Sequence, residues 1–234
     1  MKKQLVNIFA VSIFFVAVLS SCTKSVDNKQ VYVDSYINSI YSRTGVPIYA
    51  VIHTAYSYNK LSSVSVTGTG GAAVPLNDPA KLGLSFYTDP TDTTLYKPAV
   101  PAPDNYTYNV LYPSGAAAVY MDATVASALL PAQQLTATKS NTDIVLTWKA
   151  VANTNAYKVR VFNFDGTSTT LIYESDFLTP KDATSDLSFP FPLSNFTNYS
   201  LNSLSFEVSA FLFEQDQTTF NAVSVTTTKI SSGQ

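Results

Sequence analysis

The chain is poor in the residues on which most catalysis depends. Its 234 residues include one cysteine, one histidine, one tryptophan and three glutamates. A zinc site needs three or four Cys, His or carboxylate ligands, so a single His and a single Cys do not supply one. Glycoside hydrolysis needs two placed carboxylates, and Glu174, Glu207 and Glu214 show no paired spacing. Charged residues make up only 13%, about half the usual share. That excludes coiled coils, charged disorder and basic nucleic-acid binders. Gly68-Thr69-Gly70-Gly71 lacks the lysine and the helix of a phosphate loop and reads as a turn. Asn77-Asp78 and Asn163-Phe164-Asp165-Gly166 lack the spaced oxygens of a calcium loop and also read as turns.

What is present suits pleated sheets. Hydrophobic residues reach 46% and aromatics 13%, and there are 27 serines and 27 threonines. β-Branched, aromatic and hydroxyl side chains pack well on a half-buried pleat.

The first segment reads as an address. Lys2 and Lys3 precede an apolar run over residues 8–19. As a helix, twelve residues span about 18 Å, short of the roughly 30 Å of a bilayer core. A charged start, a short apolar stretch and small residues make a secretory signal.

The run ends in Leu19-Ser20-Ser21-Cys22. Here the chain resembles bacterial lipoproteins, whose signals end in a Leu-small-small-Cys box. The resemblance implies cleavage of residues 1–21 and a lipid on the sulfur of Cys22, which makes the membrane a partner through that anchor. Stable anchoring takes more than one acyl chain. Lipidation consumes the lone thiol, so the exported chain has no disulfide. The chain carries 14 basic and 16 acidic residues. Removing Lys2 and Lys3 leaves 12 against 16, a net charge of −4.

Residues 22–30 are polar and read as a tether. Surface lipoproteins of Bacteroidetes-type bacteria often carry an acidic cluster after the cysteine. This tether has only Asp27 between two lysines, so the expected location is the outer membrane with its face, periplasmic or cell-surface, open.

The 213 residues after the signal divide near Ala128-Leu129-Leu130-Pro131 into halves of common domain size. In the second, Ile144, Leu146 and Trp148 alternate on one face. Tyr157, Val159 and Val161 do the same, with Lys158 and Arg160 opposite. Asp165-Gly166 is a strong hairpin signal. Leu204, Phe206, Val208 and Ala210 form a further period-2 face, and a last strand lies over 222–228. Residues 132–230 resemble a fibronectin type III domain through Leu146-Thr147-Trp148, Tyr157-Lys158-Val159 and Phe206-Glu207-Val208-Ser209-Ala210. The family's corner tyrosine is replaced by Leu204, with Tyr199 five residues earlier. The first half contains strand-like runs over 46–58, 63–67, 82–87, 106–112 and 116–124. Residues 30–41 favour a strand over a helix. The expected architecture is all-β, with an Ig-like sandwich over 31–130 and a fibronectin-like one over 131–234. No repeat of 20–50 residues is visible.

Few residues stand out as candidates. His53 lies in a strand-like run without a partner motif and reads as a satisfied core histidine. Glu207 points outward beside the strand of Lys158 and Arg160, as a surface ion pair worth under about 1 kcal/mol. A stretch with Pro90, Pro98, Pro101 and Pro103 cannot join a ladder and reads as a long loop. Tyr96 within it, and Phe211 and Phe213 with outward parity on their strand, are the candidate ligand contacts. Thr93, in Asp92-Thr93-Thr94, resembles the O-glycosylation site of Bacteroidetes-type secreted proteins.

The expectation is a non-catalytic envelope lipoprotein, without cofactor or metal, serving as an accessory or protein-interaction module. A glycan-binding lipoprotein of a polysaccharide-uptake system is the alternative. Glycan binding predicts an exposed tyrosine or tryptophan platform, and a protein contact predicts an apolar patch.

Overall fold

The computed structural model describes residues 30–180 and 186–230. The signal, Cys22 and tether residues 22–29 lie outside the described residues. Strands make up 52% of the described residues and no helix among them reaches seven residues, so the fold is all-β.

The first half contributes β1 (Val31–Tyr41), β2 (Pro47–Ser57), β3 (Ser63–Thr67), β4 (Val74–Pro75), β5 (Ser85–Tyr87), β6 (Asn105–Leu111) and β7 (Ala117–Ala123). The second contributes β8 (Thr136–Lys139), β9 (Asp143–Trp148), β10 (Ala156–Phe164), β11 (Thr169–Glu174), β12 (Leu187–Pro192), β13 (Leu204–Phe213) and β14 (Phe220–Lys229).

The two halves repeat one strand order. In each, the first, second and fifth strands pair in one sheet, and the fourth, third, sixth and seventh pair in the other. This is the fibronectin-type, Ig-like sandwich expected for the second half, and it is present in the first as well. Alternation explains the elements. Ile144, Leu146 and Trp148 are buried, as are Tyr157, Val159 and Val161, and they share one core with Phe191 and Phe206. In the first half Val64 and Val66 of β3 and Tyr106, Tyr108 and Val110 of β6 meet Val31 and Ala55 from the facing sheet. The corner before β13 is rebuilt. Leu204 is buried, and Phe196 fills the space between two 3-10 turns while Tyr199 stays exposed.

The sandwiches are not separate. β1 runs parallel to β14, pairing Ile37–Ser39 with Ala222–Ser224. The three-stranded sheet of the first half thereby continues into the four-stranded sheet of the second, in the order β11-β10-β13-β14-β1-β2-β5. Two edges that would otherwise offer unpaired N–H and C=O groups are closed against each other. The connection between the halves is fixed to β1 as well. Tyr41 donates its hydroxyl hydrogen to the Pro131 carbonyl at 3.1 Å, and Leu129 is buried.

Candidate functional site

The outer face of this seven-stranded sheet carries the site. Period-2 alternation places Tyr32, Asp34, Tyr36, Asn38 and Ile40 of β1 on it. Val223 and Val225 of β14, Glu207, Ser209 and Phe211 of β13, and Lys158 and Arg160 of β10 join them. In-register pairing sets Asn38 beside Val223, Val223 beside Phe211, and Glu207 beside Arg160.

All three aromatic candidates reach this face, but not as exposed contacts. Tyr96 is a correction: it is buried, at 6% exposure. The proline-rich segment lies over β1 and β2, where Tyr49 and Lys97 exchange two backbone hydrogen bonds of 2.8 Å. Tyr96 packs on Ala50 and Ile52. Its hydroxyl donates to the Pro90 carbonyl at 2.9 Å and accepts from Asn38 Nδ2 at 2.6 Å. Phe211 is the second correction. It keeps its outward parity and is nevertheless buried, because Phe177 and Phe220 cover it with ring centroids 5.2 Å away on each side. Phe213 is half-buried in the same cluster, 5.5 Å from both Phe177 and Phe220. A register shift in the β13–β14 pairing falls at Leu212 and Phe213. Thr93 is exposed in a 3-10 turn whose preceding Asp92 carboxylate accepts hydrogen bonds from Thr94.

Between the proline segment and the second sandwich lies a pocket of about 330 Å³. Tyr36, Phe211 and Phe220 form its aromatic wall, and Asn38 lies in its lining with an exposure of 3%. Asn38 Oδ1 has no hydrogen-bond partner there, a cost of about 1–3 kcal/mol for a buried polar atom. The pocket's charges are balanced. Lys158 Nζ lies 2.5 Å from Glu174, and Arg160 lies 2.6 Å from Glu174 and 2.9 Å from Glu207. Hydrogen bonds from Lys158 and then Arg160 hold the Glu174 carboxyl below its ordinary range.

Sharing Thr91 and Glu207 with this pocket, a groove of about 1010 Å³ runs on toward the ends of β14 and β10. Phe164 and Tyr199 stand exposed along it, among Asn163, Asn198, Asn202 and Lys229. Ser203 donates to Asn163 Oδ1 at 2.6 Å, which fixes that amide. The Asp165-Gly166 turn forms one end as expected, with Asp165 accepting from the Thr167 and Ser168 amides and Gly166 at φ +98°. Aromatic faces beside amides and hydroxyls can stack on and hydrogen-bond a polyhydroxylated ligand. The sequence reading missed the groove asparagines, because nothing local in the sequence marks them.

His53 lies inside the first sandwich, and its ring lies 4.5 Å from that of Tyr106. Tyr108 donates to the Asp34 carbonyl at 2.7 Å, so the 2.6 Å contact to Ser35 must carry the serine's hydrogen. Nδ1 of His53, 3.0 Å from Ser35 Oγ, is then the donor to it. Burial lowers the His53 pKa to about 4, which keeps the ring neutral. Ser35 is fully buried. Among the described residues no group of three or more His, Cys, Asp or Glu is arranged to hold a metal ion. Nor is any helix there long and apolar enough to cross a membrane.

No family model matches the chain, and no curated protein matches it. Two solved structures are similar over most of its length. One is a bacterial ice-binding adhesin of 1.5 MDa, studied for host cell surface retention, at 13% identity and a TM-score of 0.27 over 87% of this chain. The other is the FN1–FN3 region of chicken CNTN1, at 11% identity and 0.26 over 84%. The chain spans 66% of the length of each.

Proposed function

We propose that the chain is a non-catalytic binding module of the bacterial cell envelope, held at the outer membrane by lipid on Cys22, and that it binds a glycan strand. The observation that carries this reading is the groove on the shared sheet, with Tyr199 and Phe164 exposed beside Asn163, Asn198 and Asn202. Sugars are recognised by stacking on aromatic faces and by amide hydrogen bonds to vicinal hydroxyls. The groove and its adjoining pocket draw residues from both halves, which gives the joined sheet a role beyond stability. Titration calorimetry of the mature chain against a panel of envelope and dietary polysaccharides tests the reading. A binder is expected, with affinity falling about tenfold in Tyr199→Ala, the size of one lost stacking contact. Absence of binding across the panel would overturn it.

A second reading has its own observation. β7 is the last strand in the order β4-β3-β6-β7, uncharged from Ala117 to Met121, with Val119 and Met121 63% and 75% exposed. Such an edge accepts a partner's strand. Crosslinking in intact cells distinguishes the two, since Val119→Lys breaks a protein contact and leaves glycan binding unchanged. Thr93 is the proposed O-glycosylation position, checked by the mass of its peptide. Protease shaving of intact cells decides which side of the membrane the chain faces.

A further inference from the structure

Three tyrosines at the start of the shared sheet remain unused by the groove. Tyr32 and Tyr56 are directly opposed on β1 and β2, and Tyr58 follows at the end of β2. Their exposures are 46%, 41% and 68%. Their rings nevertheless touch one another, with centroids 6.5, 6.4 and 5.1 Å apart. Three large rings kept together in water form an amphipathic patch: apolar ring bodies with hydroxyls at their rims. Such rings settle at the headgroup level of a bilayer.

The position of the patch along the sheet selects its occupant. Tyr32 precedes Ile37 by five residues, and Ile37 pairs with Ala222 on the parallel strand β14. Lys229, at the groove, follows Ala222 by seven. At about 3.3 Å per residue, the patch and the groove lie at opposite ends of the sheet, roughly 40 Å apart. Cys22 is ten residues from Tyr32, a reach of at most about 35 Å when fully extended. A lipid on Cys22 therefore holds the tyrosine end of the sheet near the bilayer and leaves the groove end beyond its reach.

We propose that Tyr32, Tyr56 and Tyr58 form a surface that rests on the bilayer and so orients the molecule, with the groove facing away from the membrane. This rests on the lipid-anchor reading of Cys22.

The test is tyrosine nitration of the lipidated full chain in vesicles of phosphatidylethanolamine and phosphatidylglycerol, compared with an unlipidated Cys22→Ser chain free in solution. Tyr199, exposed at the far end, is the internal control. Nitration of Tyr32, Tyr56 and Tyr58 is expected to slow at least about fivefold in the vesicle-bound chain, as rings enter the interface, while Tyr199 reacts equally in both. Equal nitration of the three in both samples overturns the proposal. Intact mass separates this from failure of the anchor, because a chain without acyl mass at Cys22 sinks the lipoprotein reading on its own. The unlipidated chain gives the second readout. Its co-sedimentation with the same vesicles should fall in the combined Tyr32→Ser, Tyr56→Ser and Tyr58→Ser variant, with far-ultraviolet dichroism reporting that the fold is intact. Unchanged sedimentation also overturns the proposal. Protection of the three rings by a soluble polysaccharide in place of vesicles would assign the patch to sugar instead.

Discussion

The two halves share a strand order and differ in what fills them. The second is packed with rings: Trp148, Tyr157, Phe191, Phe196 and Phe206 lie in one core, with neighbouring centroids 5.6–6.3 Å apart. The first has a polar seam through its centre, running from His53 through Ser35 and Tyr108 to the Asp34 carbonyl. One topology thus accepts a dry core and a hydrogen-bonded one. What the two have in common is the alternation of strands and the management of edges. What differs is how each half answers to substitution and to pH.

The largest expected effect is in the dry core. Phe206→Ala should cost about 3–5 kcal/mol, the transfer loss plus the cavity left behind, measured by urea unfolding. A loss under about 1 kcal/mol would mean that the core collapses around the gap. Next comes the junction. Ser224 of β14 lies between Ala210 of β13 and Ser39 of β1. Proline has no N–H for either ladder, so Ser224→Pro should cost about 3 kcal/mol. It should also split unfolding into two transitions, Trp148 fluorescence reporting the second half and far-ultraviolet dichroism both. A single coincident transition in the variant would show that the halves are coupled by something other than the shared sheet.

The polar seam gives a smaller difference. Tyr108→Phe removes a hydroxyl bonded to Ser35 and Asp34, and should cost about 1–3 kcal/mol. Tyr157→Phe in the other half removes one bond, from the Val151 amide at 2.6 Å, and should cost less. Equal costs would make the seam no more than a sum of separate bonds. On the outer face of the shared sheet, Lys158→Ala should cost about 1 kcal/mol or less, since Glu174 keeps Arg160 as a partner.

pH separates the halves further. Burial raises the Asp34 pKa to about 8, aided by the carboxylates of Asp122, Glu214 and Asp216 and opposed by the Phe220 amide. The unfolded value is about 3.9. Folded Asp34 therefore keeps a proton that the unfolded chain loses, and its contribution to stability declines as pH rises from about 4 to 8. His53 acts in the opposite sense. Its folded value of about 4 lies below the unfolded value near 6.5, so its contribution is full above that pH and declines as pH falls toward 4. The two slopes oppose each other between about 4 and 6.5, and Asp34 alone acts from there to about 8. Asp34→Asn should remove the decline above pH 6.5, seen in thermal unfolding across a pH series. An unchanged slope would place its origin elsewhere.

Much of the fold was legible because alternation is local. Trp148, Val159 and Phe206 declared their facing by period 2, and Asp165-Gly166 declared its turn. The pairing of Arg160 with Glu207 followed from strand adjacency in the resembled fold. The site was less legible. Parity placed Phe211 outward, and it is outward. Parity does not say what lies above it, and Phe177 and Phe220 arrive from distant segments to bury it. Tyr96 was misread for a similar reason, since a proline-rich segment can still pair locally with a strand, as Lys97 does with Tyr49, and bury the ring beside it. The Tyr32–Tyr56–Tyr58 patch needed the β1–β2 register, which the turn over residues 42–46 sets and period-2 alternation alone does not give.

The sequence by itself determined the all-β class, the strands and the inward faces, because each follows from neighbours two residues apart and from turn residues between them. It pointed to two sandwiches but not to their identical strand order, because the two halves reach one topology with unlike side chains. Only the tertiary structure decided that β1 and β14 join, although nearly 190 residues separate Ile37 from Ala222. That contact closes two edges at once. Its stability comes from backbone hydrogen bonding and from the burial around it, neither of which any short stretch of the sequence encodes.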